Sequence, residues 1–197
     1  MGLWNNIFGK KKLEEPEKSP YLPKNKDPLD LSFAKAFTAS GGYFLYNENQ
    51  EDVHSNFQNI FIENDWQLEE MVCLNKEFSK LFGIPNINEI SGKLNQYKAL
   101  VIHCEYLISN TGKILLSNQQ IQHFKLKELP KTIIILAKIN QLCSDVSQAM
   151  TALKNKYKNN IPTNITSIKA LSNLDLGNKM APSDSTAKSI YLLLEEN

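Results

Sequence analysis

The sequence predicts an α/β domain in three layers, with a mainly parallel β-sheet covered by helices on both faces. Short apolar stretches alternate with segments of helical periodicity from residue 29 onward, which is the order expected of βαβ units. Residues 99–104 and 132–137 are apolar at almost every position, as strands buried on both faces are. A β-hairpin insertion, with its turn at residues 110–112, interrupts the parallel order.

A flexible tail at residues 1–28 is predicted to precede a single folded domain at residues 29–197. The tail contains four prolines and little apolar surface to offset the entropy of ordering. Its apolar cluster consists of Leu3, Trp4, Ile7 and Phe8, followed by Lys10, Lys11 and Lys12. Residues 1–12 are therefore expected to contact a partner protein or an anionic membrane surface, the alternative being a tail that contacts nothing.

The first half of the domain is predicted to contain three helices and three strands. Asp30 is expected to cap the first helix, and the glycine pair at residues 41–42 to end it. The third helix is expected to open at Asn75 and to end at Gly83. The apolar faces of the first two helices are predicted from Leu31, Ala34 and Phe37, and from Val53, Phe57, Ile60 and Phe61. The strands are expected at residues 43–46, 71–74 and 99–104.

In the second half, a hairpin joins strands at residues 106–109 and 113–117 through Asn110-Thr111-Gly112. The longest helix is expected to begin at Asn140. Its apolar stripe is predicted from Leu142, Val146, Ala149, Met150, Leu153 and Tyr157. Further strands are expected at residues 132–137, 165–171 and 189–194, with a polar loop at residues 172–185.

Charge and composition argue against several classes of function. The net charge is +1, so no overall positive field attracts nucleic acid, and no nucleic-acid partner is expected. Every basic side chain other than histidine is a lysine, which leaves no guanidinium to bind carboxylate or phosphate in a bidentate manner. Neither a GxGxxG nor a GxxxxGK[ST] motif occurs, and no cofactor is expected.

The three cysteines are predicted to be buried, reduced thiols in a reducing, cytoplasmic compartment. Cys73, Cys104 and Cys143 lie far apart in apolar stretches and form no CxxC pair, so neither a disulfide nor a metal site is expected. No stretch of about 18 apolar residues predicts a transmembrane helix, and the N-terminus lacks the pattern of a signal peptide.

Several stretches in a fixed order resemble one family. They are FAKAFTASGGYFLY at 33–46, ALVIHCEYLISNTGKILLS at 99–117, LPKTIIILA at 129–137, IPTNIT at 161–166 and the C-terminal SIYLLLEE. Over residues 29–197 the chain resembles the LUD family, named for lactate-utilisation protein C. The resemblance implies a fold like that of sugar-phosphate isomerases and CoA-transferases, and a link to an L-lactate oxidation complex.

The chain departs from the pattern of that family at three polar motifs. Asn110 stands where the family usually has Glu before Thr-Gly. Residues 171–176 read LSNLDL in place of a Gly-Pro-Ser-Arg-Thr-Ala-Asp-type motif, and residues 181–185 occupy the region of its His-Gly-Pro. An amide does not exchange protons near neutral pH, so Asn110 favours binding over acid–base chemistry. We therefore expect a binding or accessory protein without independent catalytic activity.

The candidate site is the turn itself, with a small carboxylate or phosphorylated metabolite as the expected ligand. Gly112 can adopt a positive φ and admit a ligand close to the backbone, and Thr111 offers a hydroxyl. Ser183 and Ser185 are expected to add hydroxyls if their loop folds back over the sheet. The structural alternative is that Asn-Thr-Gly is simply a favourable turn sequence.

His103 and Cys104 are neighbours on a predicted strand, so they point to opposite faces and cannot form a catalytic dyad. A structural role is favoured for both.

The alternative function is an interaction protein that docks through its tail and has no ligand pocket. A pocket lined by Thr111 and backbone N–H groups would favour ligand binding, and a closed apolar surface would favour docking.

Overall fold

The computed structural model describes residues 27–90, 92–171 and 188–196. The predicted tail, apart from its last two residues, and the two loop serines at positions 183 and 185 lie outside these ranges. The strands are, in chain order, β1 (Tyr43–Asn47), β2 (Met71–Cys73), β3 (Ala99–His103), β4 (Tyr106–Ile108), β5 (Lys113–Leu116), β6 (Thr132–Lys138), β7 (Leu142–Cys143), β8 (Thr166–Ile168) and β9 (Ser189–Glu195). The α-helices are α1 (Leu29–Ala39), α2 (Gln50–Glu63), α3 (Lys76–Phe82), α4 (Asn118–Ile121) and α5 (Val146–Tyr157).

The predicted parallel sheet is confirmed. Its strand order is β1-β9-β6-β3-β2, and every neighbouring pair is parallel. Side chains along each central strand alternate between the two faces, as the period of a strand requires. Leu100 and Ile133 pack on one face, whereas Val101 and Ile134 pack on the other. Because all five strands run in the same direction, their carboxyl ends lie at one edge of the sheet, which we call the carboxyl edge.

Helices cover both faces, as predicted. Helices α2 and α3 pack on one face through apolar side chains that include Phe57 and Phe82. Helix α1 packs on the other face through Phe33 and Phe37, which are stacked with ring centroids 5.4 Å apart. Burial of each such ring contributes about 1.5–3 kcal/mol.

The predicted start and apolar face of α1 are wrong in detail. Pro28 occupies the N-cap position, and its carbonyl oxygen accepts a hydrogen bond from the Ser32 amide. Asp30 lies in the first turn and makes no cap. The residues that face the sheet are Phe33 and Phe37, one helical turn apart, while Leu31 is exposed. The larger aromatic side chains thus determine the rotation of the helix on the sheet.

The predicted hairpin is part of a second sheet. Strands β4 and β5 are antiparallel, and they are joined by β7 and β8 in the order β7-β4-β5-β8. Leu107 and Ile114 of the hairpin pack against the core on the same face as α1. Helix α5 covers the opposite side of the second sheet through Ala149 and Leu153. The strand predicted at residues 165–171 is shorter and belongs to this second sheet.

The predicted helix start at Asn140 is also wrong. Residues 139–141 form a 3-10 turn, and Leu142 lies in β7 rather than in the helix. The helix begins at Val146, where the side chain of Asp145 accepts a hydrogen bond from the Gln148 amide at 2.9 Å. At 12 residues it is shorter than the 14-residue α2. Within the described ranges, no helix is long and apolar enough to cross a membrane.

Candidate functional site

A crevice of about 540 Å³ opens at the carboxyl edge of the main sheet. It lies between the ends of β3, β6 and β9 and the first turns of α2 and α3. Its apolar wall consists of Val53, Phe78, Leu81, Leu136, Ala137 and Leu193. Irregular segments after parallel strands form the ligand-binding crevice in many open α/β sheets, and this cavity has the size and the apolar lining of such a site.

The polar side chains of the crevice are Gln50, Glu77, His103, Lys138, Gln141 and Glu195. The ammonium of Lys138 lies 3.6 Å from the carboxylate of Glu195, which is long for a hydrogen-bonded pair. Glu77 is exposed at the start of α3, where a carboxylate is favoured by the helix dipole. The lining of the crevice thus combines apolar side chains with charged, amide and imidazole groups.

His103 is placed in the crevice by its position as the last residue of β3. Strand alternation turns it toward the face that carries α2 and α3, where its ring and that of Phe78 form a T-shaped pair with centroids 6.0 Å apart. Burial lowers the pKa of His103, an effect opposed by the carboxylate of Glu105. The imidazole is therefore neutral at pH 7, with one donor and one acceptor nitrogen.

A smaller cavity of about 170 Å³ also reaches His103. Its polar lining consists of amide side chains, those of Asn75, Gln119 and Gln120. Gln120 belongs to α4 and donates a hydrogen bond to Glu105 at 3.0 Å. His103 is therefore shared by an apolar crevice and an uncharged polar cavity.

Glu105, two residues beyond β3, is the centre of a buried hydrogen-bond cluster. Its carboxylate accepts hydrogen bonds from Ser117 at 2.8 Å, Gln120 at 3.0 Å, Lys156 at 2.9 Å and Tyr157 at 2.9 Å. Burial alone would raise the pKa of Glu105, but these donors outweigh it and hold the pKa below its usual range. The side chain is fully buried, so the charge is stabilised entirely by protein groups.

The predicted binding turn is packed against α1. Gly112 has φ +64°, which confirms the predicted positive φ. A Cβ at Gly112 would lie 2.5 Å from the backbone nitrogen of Phe37, so the helix backbone occupies the space next to this glycine. Asn110 is exposed, and the Thr111 hydroxyl is buried without a hydrogen-bond partner. None of the three turn residues lines the crevice, and ligand binding at the turn stays a prediction.

The three thiols are buried and unpaired, as predicted. Burial raises the pKa of Cys73, of Cys104 and of Cys143, so none is a thiolate at neutral pH. Cys104 lies in the core on the face opposite to His103, which confirms that the two cannot form a dyad. Within the described ranges, no group of three or more His, Cys, Asp or Glu side chains is arranged to hold a metal ion.

Sequence reasoning missed the crevice residues. The sequence favours a structural role for His103, and the structure places it at the end of a buried parallel strand, where ligand groups are found in many open α/β sheets. Glu77, Lys138 and Glu195 carry no local motif, because they come from three separate elements.

A family profile described as the LUD domain matches residues 32–186. The fold is similar to the crystal structure of a DUF162 family protein from Deinococcus radiodurans, with a TM-score of 0.62 and 14% sequence identity. That similarity covers 89% of this chain and 100% of the other. Among curated proteins, none matches the sequence significantly.

Proposed function

The chain belongs to the LUD domain family, and we propose that it binds a small organic molecule in the crevice at the carboxyl edge of its main sheet. The observation that carries this proposal is the cavity of about 540 Å³ at the ends of β3, β6 and β9. Binding there uses the same sheet edge that other open α/β folds use for ligands.

The lining of the crevice supports a small, partly apolar ligand. Leucine and phenylalanine side chains form much of the apolar wall, and the other half of the lining side chains are polar. Such a surface stabilises an aliphatic or aromatic body by burial, and it fixes the orientation through one or two hydrogen bonds.

We propose binding without a chemical step. The three thiols are protonated and buried, which removes them as nucleophiles. His103 is a neutral base in the crevice, but Cys104 beside it in sequence faces away from it. The sequence predicts a small anionic metabolite at Asn110-Thr111-Gly112 and a link to lactate utilisation, with an interaction protein that docks through its tail as the alternative, and these stay predictions.

A fragment screen by NMR tests the proposal on the full chain. Fragments that bind the crevice should shift the amide resonances of residues 50–53, 77–81 and 136–138. Leu81, which lines the crevice and is exposed, allows a blocking variant, Leu81→Trp. Ile62→Trp is the matched control, because Ile62 is also an exposed helical side chain but does not line the crevice.

We expect Leu81→Trp to weaken fragment binding and Ile62→Trp to leave it unchanged. Shifts that instead cluster at residues 108–114, with no response to Leu81→Trp, would place the ligand at the turn. A screen without any fragment that shifts the crevice amides would contradict the proposal.

A further inference from the structure

We propose that the ligand of the crevice is a small primary amine with an aliphatic body. This inference rests on the proposed function and names the chemical class of the ligand. It follows from the charges around the cavity, where two carboxylates face one ammonium, and from the hydrogen-bond acceptors that these carboxylates provide.

Both ends of the Gln141 side-chain amide are hydrogen-bonded to the protein backbone. Its Nε2 donates to the carbonyl oxygen of Cys104 at 2.7 Å, and its Oε1 accepts from the backbone amide of Lys138 at 2.7 Å. Gln141 therefore holds the ends of β3 and β6 in place, and its amide cannot serve a ligand without breaking these bonds.

Among the remaining lining side chains, the charged acceptors outnumber the charged donor. Glu77 and Glu195 offer carboxylate oxygens, whereas Gln50 and neutral His103 each offer both a donor and an acceptor. Within the described ranges, the side chains of Glu77 and His103 make no hydrogen bond to another protein group. The cationic donor among the lining residues is Lys138, and it already faces Glu195. A ligand that donates hydrogen bonds complements this arrangement.

The charges of the lining favour a cation over an anion. Two carboxylates, Glu77 and Glu195, face one ammonium, that of Lys138. The dipole of α2 would favour an anion near Gln50, but the first turn of this helix already carries Glu51 and Asp52. Glu105 does not change the balance, because its charge is paired with Lys156. A carboxylate or phosphate ligand would be repelled by the excess negative charge.

A series of three probes with the same body separates these classes: n-hexylamine, 1-hexanol and hexanoate. Titration of each into the full chain at low ionic strength, followed by amide shifts of the crevice residues, gives three dissociation constants. We expect n-hexylamine to bind at least about fivefold more tightly than hexanoate, with 1-hexanol between them.

The charge of Glu77 should account for part of this preference. Glu77→Gln should weaken n-hexylamine about two- to fivefold and leave 1-hexanol unchanged, since the side chain is exposed and its attraction is screened. Glu69→Gln is the matched control, because it removes the same charge from an exposed residue ahead of β2, at the opposite edge of the sheet.

The outcomes separate this inference from the proposed function. If hexanoate binds the crevice most tightly, or Glu69→Gln weakens n-hexylamine as much as Glu77→Gln does, the amine inference is wrong while the binding site stands. If none of the three probes shifts the crevice amides, the proposed function itself fails.

Discussion

Replacement of the buried carboxylate at Glu105 by an amide should destabilise the fold strongly. The side chain is fully buried, and its two oxygens receive hydrogen bonds from Ser117, Gln120, Lys156 and Tyr157. In Glu105→Gln one acceptor oxygen becomes an NH₂ group that points at donors. One or two hydrogen bonds to a charged acceptor are lost, and the uncompensated donors remain partly buried.

The expected loss of unfolding free energy is about 2–4 kcal/mol. Each hydrogen bond to a charged group is worth about 1.5–3 kcal/mol, and the oxygen that remains keeps part of the cluster. The Lys156 side chain is 48% exposed, so its ion pair with Glu105 is screened by water. Lys156→Met should therefore cost no more than about 1 kcal/mol, because the carboxylate retains its other three partners.

Urea denaturation at pH 7, followed by circular dichroism, measures both variants and the double mutant. Glu105→Gln should have a lower midpoint with an unchanged m-value. A loss below about 1 kcal/mol for Glu105→Gln, or an equal loss for Lys156→Met, would refute the argument that a buried charge is stabilised by the whole cluster.

Three further predictions concern the turn and the crevice. Gly112→Ala should lower the free energy of unfolding by about 2–4 kcal/mol in urea denaturation, because the residue has φ +64° and its Cβ would clash with the backbone of Phe37. A loss under about 0.5 kcal/mol would contradict this, because it would mean that α1 moves away from the turn at little cost. Thr111→Val removes a buried hydroxyl without a partner, so stability should stay within about 1 kcal/mol of the original; a fragment bound at the turn would lose affinity in this variant, whereas one in the crevice would not. Burial lowers the pKa of His103, so the unfolded chain takes up the proton first and stability falls as pH drops below about 6.5. His103→Gln should reduce that fall in urea denaturation at pH 5 to 7, and an identical pH profile would contradict it.

Features that depend on a few neighbouring residues were predictable from the sequence. Helix α3 begins after Asn75 and ends at Gly83, as predicted, because an N-cap side chain and a left-handed C-cap act locally. The apolar strands of the main sheet were also predictable, since burial on both faces leaves few polar positions.

Features that depend on distant contacts were not predictable. Asn140 and Asp145 are both good N-cap residues, and the pairing of β7 with β4 determines which one begins the helix. Glu105 and Lys156 are hydrogen-bonded but lie 51 positions apart in the sequence, so no local motif predicts their contact. The sequence alone does not distinguish His103 from other strand residues. Its place in the crevice depends on the strand order, which brings the carboxyl end of β3 beside β6 and α3.

The most direct test of the crevice as the binding site is a crystal structure of the full chain soaked with a mixture of small amine, alcohol and carboxylate fragments. Density for a fragment should appear between the carboxyl ends of β3, β6 and β9, in contact with His103 or Glu77. Density confined to the turn at Asn110-Thr111-Gly112, with the crevice occupied by water alone, would contradict the account.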